Sequence, residues 1–232
     1  MPDNAGGHSG PICLVTHRNR LLSALERAAS DWMPALLAQI EGAIAGGVDV
    51  VQIREADLDA GALAVLVRKA LDLASGTAVR ILVNDRLDVA IATNADGVHL
   101  PERSLPSRAA RQILRQGMTL GRSVHGVEAL ADCAADYVIA GSVFATLSKV
   151  GQPATLGLEG LRRIVAAAGN CPVWAIGGIT EERVPLVRAQ GASGIAVIGA
   201  LMPEVPTEHV ARFVRKRAEI LRNAFDSSSG LP

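Results

Sequence analysis

Short runs of Val, Ile, Leu and Ala, four to seven residues long, alternate along the chain with stretches whose apolar residues return every three or four positions. The first pattern suits buried strands and the second amphipathic helices. Their alternation is that of βαβ units in a parallel sheet. Eight strands are predicted, at Ile12–Thr16, Asp49–Arg54, Arg80–Asp85, Gly97–Leu100, Thr119–Val124, Tyr137–Val143, Val173–Ile179 and Ile195–Leu201. Helices are predicted between and after them, near Pro34–Ala45, Asp59–Ala74, Asp88–Thr93, Pro106–Gln116, Val127–Ala134, Leu158–Ala168, Glu181–Gln190 and Thr207–Asn223. Eight such repeats predict an α/β fold, a single (β/α)8 TIM barrel. A doubly wound open sheet fits less well, because the repeats are regular and no second domain follows.

Gly46-Gly47, Ala95-Asp96-Gly97, Ala135-Asp136 and Gly191-Ala192-Ser193-Gly194 mark helix-to-strand turns. They fix the polarity, so residues just after each strand face the end where barrel active sites lie. Two segments stand outside the repeat: His17–Trp32, with a helical turn expected around Leu21–Ala29, and the long loop Ser142–Thr155. The barrel is expected over residues 11–224, with disordered tails at 1–10 and 225–232.

Charge and composition narrow the partners. The 23 basic and 23 acidic residues balance, and no basic stripe appears, which argues against nucleic acid. No window approaches the roughly 18 consecutive apolar residues of a membrane helix, and the polar, Gly-rich start lacks a signal-like apolar run. The three cysteines, Cys13, Cys133 and Cys171, have neither disulfide nor zinc spacing and are expected to be buried reduced thiols. A cytoplasmic protein without a membrane or nucleic-acid partner is expected. Aromatic residues make up 3% of the chain, which favours aliphatic packing in the barrel.

Candidate chemistry gathers at the strand ends. Gln52 and Arg54 fall on one side of strand two by period-2 alternation, and Arg54 needs an anion, either a ligand or a carboxylate such as Glu55. Asn84 and Asp85 close strand three; they suit a ligand and Mg²⁺, or else a turn and a helix cap. Arg86 is expected to pair with Asp88. Ser123 can donate to a phosphate oxygen, His125 is a candidate base, and His99, within a strand, reads as a satisfied core or rim histidine. Thr146, Ser148 and Lys149 suit an anion clamp or a solvated loop. Gly177, Gly178 and Gly199 fall at the ends of strands seven and eight, leading into the loops where backbone N–H groups of barrels hold phosphate. A small phosphorylated ligand is therefore expected.

In order along the chain stand Val51-Gln52-Ile53-Arg54-Glu55, Val83-Asn84-Asp85-Arg86, Asp96-Gly97-Val98-His99-Leu100, Gly121-Arg122-Ser123-Val124-His125, Val143-Phe144-Ala145-Thr146 and Ala175-Ile176-Gly177-Gly178-Ile179-Thr180. Together they resemble the thiamin phosphate synthase/TenI family, over roughly Pro11 to Met202. The resemblance implies an enzyme of thiamin biosynthesis, a transferase that joins hydroxymethylpyrimidine diphosphate to thiazole phosphate and releases pyrophosphate. It places Gln52, Arg54, Asn84, Ser123 and Lys149 around the diphosphate, with Asp85 on Mg²⁺. Thr146 and Ser148 would line the thiazole side, and Gly178 and Gly199 would hold its phosphate. A homodimer is implied as well.

Three positions depart from the synthase pattern. Ala56 stands where a Lys is usual, Ser104 where a second Mg²⁺ carboxylate falls, and Glu102 where a Gln is usual. Two alternatives follow. One is a TenI-like thiazole phosphate tautomerase, which would need a displaced base such as His125, because the usual His position holds Ser142. The other is a non-catalytic barrel that binds thiazole or thiamin phosphate.

Overall fold

Parallel pairing runs unbroken through β1 (Ile12–Val15), β2 (Val50–Ile53), β3 (Arg80–Asn84), β4 (Gly97–Leu100), β5 (Thr119–Val124), β6 (Tyr137–Gly141), β7 (Val173–Ile176) and β8 (Gly194–Val197). The last strand pairs back onto the first, Cys13 opposite Ala196, and closes the barrel. The computed structural model describes residues 10–131, 133–145, 155–203 and 206–228. The outer ring is α1 (Arg18–Leu25), α2 (Trp32–Ala45), α3 (Ala60–Ala74), α4 (Leu87–Thr93), α5 (Ser107–Ile113), α6 (Gly157–Ala168), α7 (Val184–Arg188) and α8 (Val210–Ser227).

The strand alternation resolves into two cores. Ile12, Leu14, Val51, Ile53, Ile81, Val83, Val98 and Leu100 point outward and pack under the helices. Cys13, Val15, Val50, Leu82, Tyr137, Ile139, Trp174 and Ala196 point inward and fill the barrel. That interior is more aromatic than composition suggests: the Tyr137 and Trp174 rings stack with centroids 3.7 Å apart, and His99 lies 5.7 Å from Tyr137.

Register is set at the barrel's lower rim by a repeated aspartate. Asp49, Asp96 and Asp136 each precede an even-numbered strand, and each carboxylate accepts the backbone N–H at or next to the start of the preceding strand: Ile12, Ile81 and Leu120, all at 2.7 Å. Ser193 takes the fourth place, before β8, and donates to the Val173 carbonyl at 3.1 Å. The turn dipeptides in the sequence thus do more than reverse the chain.

Four expectations are corrected. Among the described residues, the helical pattern at Val127–Ala134 forms a 3₁₀ turn at Val127–Leu130, none of whose residues is buried, so no apolar face holds a longer helix there. Residues 18–25 form a capped helix, α1, because Leu21, Leu22 and Leu25 are buried together. Helix α8 runs to Ser227 with Phe225 fully buried, so the ordered part passes the expected boundary at 224. Cys13 is buried, but Cys133 and Cys171 are only half-buried; all three are free thiols. Among the described residues no helix is long and apolar enough to cross a membrane.

Candidate active site

One cavity of about 870 Å³ opens at the C-terminal ends of the strands. Gln52, Arg54, Asn84, Asp85, Ser123, His125, Gly177, Gly178 and Gly199 all line it. Every described residue proposed from the sequence therefore meets in one place. Thr146, Ser148 and Lys149 lie outside the described residues.

Strand two sets the first wall. Gln52 is 2% exposed, and its Nε2 has no hydrogen-bond partner among the described residues. A buried, unpaired amide donor costs free energy unless something fills the cavity and accepts from it. Arg54 extends into the same space. Glu55 is not its partner: that carboxylate is buried and accepts the Arg18 backbone N–H at 3.0 and 3.1 Å. Burial pushes the Glu55 carboxyl up, against hydrogen bonds from Thr16 and Arg18. Arg54 makes no hydrogen bond or ion pair among the described residues beyond its backbone N–H to Thr16 Oγ1 at 2.9 Å.

Strands three, four and five bring the next group together. Asp85 sits just past β3 in a left-handed conformation, φ 64°, and its carboxylate accepts from the Ser104 hydroxyl. The Ser123 hydroxyl is held at 2.8 Å by His99 Nε2, while His99 Nδ1 meets the Tyr137 hydroxyl at 3.2 Å. His99 is a satisfied interior histidine. Burial pushes its pKa down to about 3, with Arg122 and Arg54 adding repulsion, so it is neutral at physiological pH. Arg122 turns away from the cavity and donates to the Glu102 and Leu105 carbonyls at 2.7 and 2.9 Å, which fastens the loop after β4. Arg86 pairs with Asp88 at 2.6 Å, as its sequence position suggests.

Glu102 is tied to His125. Its Oε2 accepts the His125 backbone N–H at 2.6 Å and lies 2.7 Å from Nδ1. The imidazole is thereby oriented by a carboxylate, and that carboxylate is engaged there rather than beside Asp85.

The opposite wall is built of glycines. Gly177 and Gly178 have φ 102° and 64°, and a Cβ on Gly178 would lie 2.8 Å from the Ala145 carbonyl and 2.9 Å from Phe144 Cβ. Only glycine fits such a turn. Arginines absent from the sequence-based list surround it. Arg183 donates to the Gly178 carbonyl at 2.7 Å and lies 4.7 Å over the Phe144 ring. Arg217 forms a paired bridge to Glu181 at 2.9 and 2.8 Å. Arg20, from α1, lies against Gly199. No local motif marks these three; only the fold brings them to the site.

The fold and this cavity define a (β/α)8 barrel with glycine turns after strands seven and eight, the place where barrels of this architecture commonly hold phosphate. The chain belongs to the thiamine monophosphate synthase family, whose family model matches residues 25–201. A thiamine-phosphate synthase of Methanoculleus marisnigri is 43% identical over 181 residues, covering 75% of this chain and 84% of the relative. A putative thiamine-phosphate synthase of Geobacter sulfurreducens is 40% identical over 180 residues, 76% of this chain and 84% of that protein. Among solved structures, a thiamine phosphate pyrophosphorylase from Pyrococcus furiosus superposes with a TM-score of 0.76 at 30% identity, covering 95% of this chain and 98% of that one.

Proposed function

We propose that the chain is a thiamin phosphate synthase, a transferase that joins hydroxymethylpyrimidine diphosphate to thiazole phosphate and releases pyrophosphate. The observation that carries the reading is the shared cavity: Gln52, Arg54, Asn84, Asp85 and Ser123 on one side, Gly177, Gly178 and Gly199 on the other. Such a cavity has room for two substrates, with a diphosphate on the first wall and a phosphate monoester on the second.

The C–O bond between the pyrimidine methylene and the diphosphate breaks, and its electron pair leaves with pyrophosphate. The thiazole nitrogen then supplies the pair for the new C–N bond. No proton is transferred, so the residues must neutralise the departing charge and orient the two rings rather than act as acid or base. Arg54 provides a fixed cation. Gln52 Nε2, the Asn84 amide and the Ser123 hydroxyl provide donors, the last oriented by neutral His99. Lys149 would add a second cation, and Thr146 and Ser148 would contact the thiazole.

Asp85 is the residue proposed to hold Mg²⁺. The donor set suits an ion that arrives with its diphosphate, since Mg²⁺ commonly takes one or two carboxylates and completes its shell with phosphate oxygens and water. It does not suit an ion held by protein alone: among the described residues no three His, Cys, Asp or Glu side chains cluster as ligands. When bound, the ion would neutralise charge on the leaving diphosphate.

Less supports a tautomerase. Ser142 stands where that activity uses an imidazole, and the His125 Nδ1 is engaged by Glu102. A cytoplasmic location and a homodimer belong to the same proposal. The test is incubation with both substrates and Mg²⁺, with thiamin phosphate expected in equal amount to pyrophosphate. Absence of product at high enzyme concentration would reject a synthase.

A further inference from the structure

We infer that Arg20, carried by the helix inserted after β1, is a phosphate-binding residue that makes this chain select a phosphorylated thiazole over its alcohol. The inference rests on the synthase reading for the identity of the ligand, but on separate observations for the residue.

The first is position. A Cβ built on Gly199 would lie 3.0 Å from one terminal nitrogen of Arg20 and 3.4 Å from the other and from Cζ. The guanidinium therefore lies broadside against the turn after β8, and it lines the cavity. Gly199 permits this approach because it has no side chain; a Cβ there would make the guanidinium give way by a few tenths of an ångström.

The second is rigidity. Helix α1 is capped by His17, whose Nδ1 accepts the Arg20 backbone N–H at 3.4 Å. The Arg18 backbone is fixed by Glu55, its guanidinium pairs with Asp57, and it lies 5.6 Å over the Trp32 ring. Asn19 donates to Asp57 at 3.1 Å. Leu21, Leu22 and Leu25 are buried beneath. Arg20 thus projects from a helix whose backbone is held in place, and its planar guanidinium fork loses less freedom per hydrogen bond formed to an anion.

The third is the chemistry of the neighbours. Backbone N–H groups of Gly178 and Gly199 can orient a phosphate but carry no net charge, whereas Arg20 adds a full charge and a planar fork of donors that matches phosphate oxygens.

Titration calorimetry with thiazole phosphate and with the thiazole alcohol, on wild type, Arg20→Gln and Arg20→Lys, separates the claim from the catalytic one. Arg20→Gln is expected to weaken thiazole phosphate binding by about tenfold or more and to leave the alcohol within about twofold, with Arg20→Lys in between. In steady state the KM for thiazole phosphate should rise and that for the pyrimidine diphosphate should not. Thermal melting checks that the variants fold. Unchanged phosphate binding in Arg20→Gln, or equal losses for phosphate and alcohol, would overturn the role of Arg20 even if synthase activity is found. Wild type that binds thiazole phosphate without turnover would remove the synthase reading and leave Arg20 standing.

Discussion

The Ser104 hydroxyl donates to the Asp85 carboxylate, so a neutral group occupies the place beside Asp85 where the family resemblance puts a second acidic ligand. Restoring that charge should tighten the metal site. Ser104→Asp is expected to lower the Mg²⁺ concentration for half-maximal activity by about tenfold, because charge count is a principal determinant of affinity at oxygen sites. Asp85→Ala should abolish activity at any Mg²⁺ concentration. A Mg²⁺ titration of initial rates reads both, and an unchanged or raised requirement in Ser104→Asp would show that Asp85 works alone by design.

Arg54 points into the cavity without a carboxylate partner among the described residues, and Ala56 lines the same wall two positions on. Removing the cation by Arg54→Gln should lower kcat/KM by about 10- to 150-fold, the worth of one charge-assisted contact. Adding one by Ala56→Lys should raise it, by up to about tenfold. The effects should appear with the pyrimidine diphosphate varied. A loss confined to the KM for thiazole phosphate would place Arg54 on the wrong substrate.

Since the proposed reaction moves no proton, the carboxylate-oriented imidazole of His125 should matter little to it. His125→Asn is expected to change kcat by no more than about threefold, well short of the 10²–10⁴ associated with a general base. A loss on that larger scale would make His125 a proton-transfer residue and revive tautomerase chemistry.

His99 links the site to acid stability. In the folded chain its pKa is pushed down to about 3 by burial, against about 6.5 unfolded. Between those values the unfolded chain binds a proton that the folded chain does not, so stability rises with pH. The contribution is fully present above pH 6.5 and is lost as pH falls toward 3, amounting to about 3 kcal/mol by pH 4. Urea denaturation of wild type and His99→Gln from pH 7 to 4 should give curves that converge as the pH drops. Parallel curves would mean that His99 titrates alike in both states.

Much of this was written in local pattern. β4 and β5 end where alternation predicts, and the strand-end groups Gln52, Arg54, Asn84, Asp85 and Ser123 all reach the cavity. Period two sorts side chains between barrel interior and exterior, and the fold then gathers every interior strand end at one mouth. What escaped the sequence depends on distance along the chain. Glu102 meets His125 across 23 residues, and Arg20 meets Gly199 across almost the whole barrel. Helix α1 was legible only in part: the Leu21, Leu22 and Leu25 spacing is there, but its cap is a histidine rather than one of the preferred cap residues.

The Asp96 carboxylate shows how the lower rim could be tested without touching the site. Asp96→Ala would leave the Ile81 N–H without its 2.7 Å acceptor, at a cost of about 1–3 kcal/mol. Denaturant midpoints should fall while KM values hold. A shift in KM would mean that the rim and the site are coupled.

Most direct of all is a structure of the protein with thiamin phosphate, pyrophosphate and Mg²⁺ bound. Pyrophosphate should lie against Gln52, Arg54, Asn84 and Ser123, with Mg²⁺ on Asp85, and the ester phosphate of thiamin phosphate should rest on the Gly178 and Gly199 turns under Arg20. Either anion found outside the cavity, or the two in exchanged places, would contradict the assignment of the walls.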